Sequence, residues 1–416
     1  MTTTSVTSAP VIPAVPAPAD GGRPRLVTGP LLLRFAVTLG ASVSFYLLLS
    51  VVPLYARLAG SGGGGAAGLA TGALMFSTVA GELVTPRLTA RFGYRRTLAA
   101  GLILLGAPAL ALTASPGLPM ILAVCIVRGL GFAVTVVAGG AVTASLIPAE
   151  RRGEGLALVG VVSGVPALVA LPLGVWLAGH LGYGPVFAAG AIAALATLPA
   201  LPGLPDRPAG QLARRPGRRQ APDPVGGGER PLGVLAALRT AALVRPALVF
   251  AASTVAAGIL VTFLPLAVSR GSGGVVALAL FAQPAAATVT RCLAGRWGDR
   301  RGAGALVMPG LVAASAGMLI LALTGMPLAV VAGSVIFGAG FGVAQNASLS
   351  LMYARVPASG YDAVSALWNL SYDAGMGLGA VGFGLLAGGT GYPLAFAVTA
   401  AAMLIALVPA RRDRRA

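Results

Sequence analysis

The chain has 416 residues, 56% of them apolar and only 10% charged, with a mean hydropathy of +0.88. Soluble chains average about 25% charged residues, so a water-solvated fold of two or three domains is excluded and a bilayer is the expected solvent. The net charge of +18 comes from 29 basic residues, all arginine; they cluster between apolar runs without interleaved aromatics, which argues against a nucleic-acid surface.

Residues 1–29 are rich in Thr, Ala and Pro. They lack a basic stretch followed by an apolar core, so they read as a disordered cytoplasmic tail and not as a cleaved signal. A membrane-crossing helix needs about 20 mostly apolar residues. Twelve runs meet this, near 31–56, 66–88, 97–115, 118–146, 154–178, 185–203, 246–268, 274–294, 304–324, 327–353, 362–387 and 393–410. They are too long and too evenly apolar for barrel strands. The fold class expected is therefore all-α and integral to the membrane. The segment 204–245 is polar and rich in Pro, Gly and Arg. It reads as a cytoplasmic linker between a first bundle at 30–203 and a second at 246–410, with a basic tail at 411–416.

Arginine placement orients the chain. With both termini in the cytoplasm, the inner loops hold Arg91, Arg95, Arg96, Arg151, Arg152, the linker cluster, Arg296, Arg300, Arg301, Arg355 and the tail. The outer loops hold only Arg57 and Arg270.

The halves superpose at an offset of 209 residues. Gly93 falls on Gly302, Arg91 on Arg300, Gly131-Phe132 on Gly340-Phe341, Pro148 on Pro357, and Gly182-Tyr183 on Gly391-Tyr392. Parallel six-helix repeats with a site between them near the midplane are a transporter architecture.

Three motifs carry a family likeness. The loop after the eighth helix reads GRWGDRRG, with Gly295, Asp299, Arg300 and Gly302; the loop after the second reads PRLTARFGYRR, with Arg91, Gly93, Arg95 and Arg96 but Ala90 in place of an acid and Pro86 in place of glycine. The fourth helix carries Arg128 in VRGLGFA. The fifth reads GVVSGVPALVALPLG, with Gly160, Gly164, Pro166, Pro172 and Gly174. With these features the chain resembles the major facilitator superfamily over about residues 31–410. The resemblance implies twelve transmembrane helices in two parallel six-helix bundles, alternating access, and a multi-pass, monomeric protein of the bacterial plasma membrane. The fifth-helix motif, only partly matched, resembles bacterial drug and natural-product efflux proteins. It implies exchange of a small-molecule substrate for protons, with no cofactor beyond the proton gradient.

The loop motif also has a physical reading. A carboxylate near the start of a helix meets its positive end, so Asp299 can latch the cytoplasmic face against the start of the fifth helix, near Arg151, Arg152 and Glu154. Ala90 cannot do so, and the two latches should be unequal.

Ionisable groups within membrane helices are costly and functional by default. Asp373 lies near the midplane of the eleventh span; Arg128 lies deep in the fourth; Glu82 lies toward the inner end of the second, in register with Arg291. A carboxyl in low dielectric is driven toward its neutral form and can exchange protons. Asp373 is the first candidate for proton coupling and Glu82 the second, with Arg128 able to pair with either or to bind an anion. Phe45, Tyr46, Phe263, Gln283, Gln345, Asn346, Trp368, Asn369 and Tyr372 are the candidate cargo lining. Asn369 and Asp373 share a helix face, with Trp368 and Tyr372 beside it. Such a lining suits an amphipathic or cationic molecule.

Other chemistries lack their residues. Cys125 and Cys292 are isolated, and His180 is the single histidine, so no metal spacing follows. GSGGGGAAG at 60–68 has no Lys-Ser/Thr after it and is not a phosphate loop. Gly377, Gly379 and Gly382 spell G-x-G-x-x-G inside the eleventh span, with no strand before it. Gly375, Gly379 and Gly382 are expected to be close-packing surfaces. A membrane enzyme would need acids clustered at one face, and a channel a charged ring or filter. A proton-coupled importer is the alternative that stays open.

Overall fold

The computed structural model describes residues 27–59, 64–114, 117–148, 151–206, 234–269, 273–357 and 360–414. The expected tail through residue 26, the linker at 207–233 and the side chains of Arg152, Glu154 and Asp299 lie outside the described residues. Among those described, no strand occurs.

Among the described residues, twelve helices cross the molecule. They are α1 (Gly29–Leu49, continued by Val51–Ala59), α2 (Gly64–Phe92), α3 (Tyr94–Gly106, continued by Pro108–Ala111), α4 (Leu118–Leu146), α5 (Arg152–Leu181) and α6 (Tyr183–Leu195) in the first half. The second half holds α7 (Ala241–Ala267), α8 (Gly273–Arg301), α9 (Gly304–Ile320), α10 (Pro327–Tyr353), α11 (Tyr361–Thr390) and α12 (Tyr392–Ile405, continued by Leu407–Arg414). Ten are long and apolar enough to span a bilayer; α3 and α9, the equivalent helix of each half, are shorter. Twelve crossings put both described ends of the chain on one face, called here the terminal face.

The repeat read from the sequence is present in the backbone. Among the described residues the positive-φ positions are four glycines: Gly93 and Gly302 at 79° and 81°, Gly182 and Gly391 at 79° and 77°. They form two pairs at the 209-residue offset, each joining consecutive helices by a turn that side chains disfavour. Close helix crossings repeat as well. A Cβ on Gly131 would collide with the backbone of Leu105 and Gly101, and one on Gly340 with that of Ala314 and Gly310. The α3–α4 and α9–α10 crossings are thus built from the same glycine pair, as small residues allow in membranes.

The halves meet along α2–α11, α5–α8 and the α1–α7 crossing. Away from the terminal face the α2–α11 seam is tight. Gly68 lies against the backbone of Ala380 and Gly72 against Val381, and Gly64 meets Phe263 of the neighbouring α7. Thr71 and Thr262 share a 2.9 Å hydrogen bond, and Ser50, at the break in α1, donates to the Val261 carbonyl at 2.8 Å.

Candidate functional site

The α2–α11 seam carries two acids. Asp373, 8% exposed, lies near the middle of α11, and Glu82, half-buried, lies toward the terminal end of α2. Their carboxyl groups interact with each other across the seam. An ionised carboxylate only accepts hydrogen bonds, so a bond between two carboxyls needs a proton on one of them. The contact joins one half of the molecule to the other. Tyr46 of α1 lies within electrostatic reach of Asp373. Tyr372, next to Asp373, is within reach of Tyr46 and of Arg291 on α8.

Beside the acids stands an aromatic wall. Trp368 stacks on Phe250 of α7 at 4.5 Å and 10°, and Tyr372 lies 6.1 Å from Phe250 and 6.3 Å from Phe341 of α10. The Trp368 indole N–H donates to Ser348 at 3.3 Å. Phe250 is fully buried, so the wall's far side is packing; Trp368, Asn369 and Tyr372 stay partly exposed.

Other candidates fall elsewhere. Arg128 does not pair with either acid among the described contacts. Its guanidinium donates to the carbonyls of Leu105 at 2.6 Å and Ser44 at 3.0 Å. Leu105 is in the last turn of α3, where carbonyls lack helical partners and a cation is favoured. Phe45, stacked on Phe132 at 3.6 Å, lines a small pocket with Arg128, Cys125 and Thr71. Phe263 is fully buried against Phe383 and Tyr392 in the seam away from the terminal face. Gln283 packs its backbone against Gly338 where α8 crosses α10. In α10, the Asn346 amide nitrogen lies near Gly295, and the Gln345 carbonyl accepts from Ser348.

The family model for the Major Facilitator Superfamily matches residues 34–380 and 247–416. The chain belongs to the Major Facilitator Superfamily. It is a membrane transporter and not an enzyme. Among solved structures it resembles the nucleoside transporter NupG at 14% identity and a TM-score of 0.71, covering 94% of this chain and 100% of that one. It also resembles a bacterial homolog of the human lysosomal transporter Spinster at 14% and 0.70, over 92% and 95%. The peptide transporter POT in complex with sulfate aligns at 17% and 0.70, over 92% and 95%. No curated protein matches the chain.

The superfamily loop motif has an unexpected partner in the first half. Ala90 leaves the motif without its acid, but Asp206, just after the sixth helix, reaches the same loop. Its side chain accepts from the Arg95 backbone N–H at 3.1 Å, and its carbonyl from that of Tyr94 at 2.9 Å. The Arg95 guanidinium donates to the Leu204 carbonyl at 2.6 Å, and Gly93 leaves room for the Asp206 carboxylate. A carboxylate thus caps the start of α3. Arg91 and Arg96 are exposed, as is Arg300 in the second half. In the superfamily's fifth-helix motif, Gly174 lets α5 touch the Leu47 backbone of α1, whereas a Cβ on Gly164 would meet nothing within 4 Å. Gly160, Pro166 and Pro172 lie within α5.

Sequence reasoning missed two residues and reached a third only by register. Arg34 is buried in α1 and donates to the Gly139 carbonyl at 2.9 Å and to Thr38 at 2.6 Å; an arginine just inside an apolar run was the available signal. Asp206 gave none, because its contact joins segments more than 100 residues apart. Arg291 is marked in the sequence only as the register partner of Glu82. Gly382 is a correction: a Cβ there would meet nothing within 4 Å. It borders an apolar groove of about 340 Å³ between α7, α11 and α12. Gly375 and Gly379 do pack closely, on Thr254 and Val255 of α7.

Proposed function

We propose that this transporter exports a small amphipathic organic molecule in exchange for protons, by alternating access across the bacterial plasma membrane. The observation that carries the reading is the meeting of Glu82 and Asp373 across the two halves. With one proton between them the carboxyls hold α2 to α11. With both ionised, like charges face each other; two unit charges 4 Å apart repel by about 4 kcal/mol at an effective dielectric of 20. That is enough to bias a two-state equilibrium by several hundredfold. Proton loading and release then favour different arrangements of the seam, and cargo beside the aromatic wall competes with or follows the proton. The protein works in this reading as a monomer with both termini in the cytoplasm.

An import reading draws support from the nucleoside and peptide transporters among its structural relatives. Everted vesicles with an acidic lumen separate the two. An exporter accumulates cargo as lumenal pH rises; an importer releases cargo and protons together. The cargo screen is growth of cells exposed to toxic amphiphiles, with wild type and Asp373→Asn side by side. Protection specific to wild type supports export; equal protection removes Asp373 from the coupling role.

A further inference from the structure

Of Arg34, Arg128 and Arg291, each placed within an apolar helix, two are satisfied by the protein. Arg34 and Arg128 are buried and donate to carbonyls of neighbouring helices. Arg291 differs. It is exposed in α8, ten residues before the end of that helix, and among the described residues its guanidinium has no hydrogen-bond or ion-pair partner. A charge at such a depth is costly without one.

The repeat gives Arg291 a counterpart in the first half. Its counterpart at the 209-residue offset is Glu82, and α2–α11 corresponds to α8–α5, which pack on each other. Glu82 meets Asp373. The counterpart of Asp373 is Gly164 of α5, and beside Gly164 there is space. One seam therefore holds two acids; the equivalent positions of the other seam are a cation and a residue without a side chain. On α8 Arg291 shares a side with the buried Ala287 and Ala294, four residues before it and three after it, away from the exposed apolar face formed by Phe281, Val289 and Leu293.

We propose that Arg291 and the space beside Gly164 form the anion-binding end of the cargo site, so that the cargo is an organic monoanion with its apolar body on Trp368 and Tyr372. A guanidinium matches a carboxylate in charge and in fork geometry. This rests on the transport reading of the same seam and narrows its cargo to one charge type, in place of the cationic molecule that composition allowed. Exchange of one monoanion outward for one proton inward would move two charges in the direction an inside-negative potential favours.

The test uses purified full-length protein in nanodiscs and three matched probe pairs: indole-3-acetate, 4-phenylbutyrate and 1-pyrenebutyrate, each against its carboxamide. Wild type should bind the carboxylates at least tenfold more tightly than the amides. Arg291→Gln should erase the preference and Arg291→Lys should keep part of it. Gly164→Leu, which fills the space with Arg291 intact, should erase it too, so the outcome does not depend on one variant folding. Asp373→Asn should keep the preference while losing proton-driven transport, which separates failure of the anion site from failure of proton coupling. Equal binding of acids and amides, a preference that survives both Arg291→Gln and Gly164→Leu, or no binding of any of the three carboxylates would overturn the proposal.

Discussion

At the scale of single residues, two buried charges that looked alike in the sequence do different work. Arg128 and Asp373 are both deep in apolar helices, and depth alone made both functional candidates. Partners separate them: Arg128 is held by carbonyls of its own half, Asp373 by an acid of the other half. Arg128→Leu should therefore lower stability, by roughly 1–3 kcal/mol for a carbonyl left unpaired in the interior, readable as a lower melting temperature in detergent. Asp373→Asn should leave melting nearly unchanged and abolish pH-driven transport in proteoliposomes. Glu82→Gln should act in the same direction, since it removes the same shared proton site. The position of Asp373 was legible because a lone acid in an apolar run is rare. Its pairing with Glu82 was not, because the two lie far apart in the chain and only the packing of α2 on α11 joins them.

At the scale of helices, glycine spacing carries the packing. Gly101 with Gly131, and Gly310 with Gly340, allow backbones to touch where α3 crosses α4 and α9 crosses α10. Gly131→Leu should separate that pair at a cost of about 1–3 kcal/mol from overpacking, whereas Gly382→Leu, facing open space, should be tolerated; thermal melts of the two variants check the contrast. The spans themselves were readable from hydropathy, since the bilayer sets their length. Which face each glycine presents was not, because these helices are apolar nearly all round. Gly382 was misjudged for that reason. Asp206→Ala should loosen the start of α3, with faster amide hydrogen exchange at residues 94–97 than in wild type. No pattern in the sequence could assign Asp206 to this role, as the linker residue and the loop it caps are brought together only by the sixth helix packing beside the third.

At the scale of the whole molecule, two parallel six-helix bundles share a seam whose charges are not symmetric. The repeat was visible in five coincidences at one offset, and two of them are the positive-φ glycine pairs, each a turn between consecutive helices that favours glycine. The same symmetry sets Glu82 with Asp373 on one side and Arg291 with the space at Gly164 on the other. Alternating access requires that the seam open at one end while it stays closed at the other. Here the end away from the termini is held by close glycine contacts and by the Ser50 and Thr71 hydrogen bonds, and the acid pair lies further toward the terminal face. The central claim is that protonation of this pair sets the opening of α2 from α11. It is tested most directly by electron–electron spin distances between labels at Arg87→Cys on α2 and Asp362→Cys on α11, in a background with Cys125 and Cys292 replaced by alanine. The account predicts that the inter-label distance lengthens as pH rises through the titration of the pair, and that Glu82→Gln with Asp373→Asn removes the pH dependence. A distance that shifts with pH to the same extent in the doubly neutral variant, or that does not shift in the wild-type background, would contradict it.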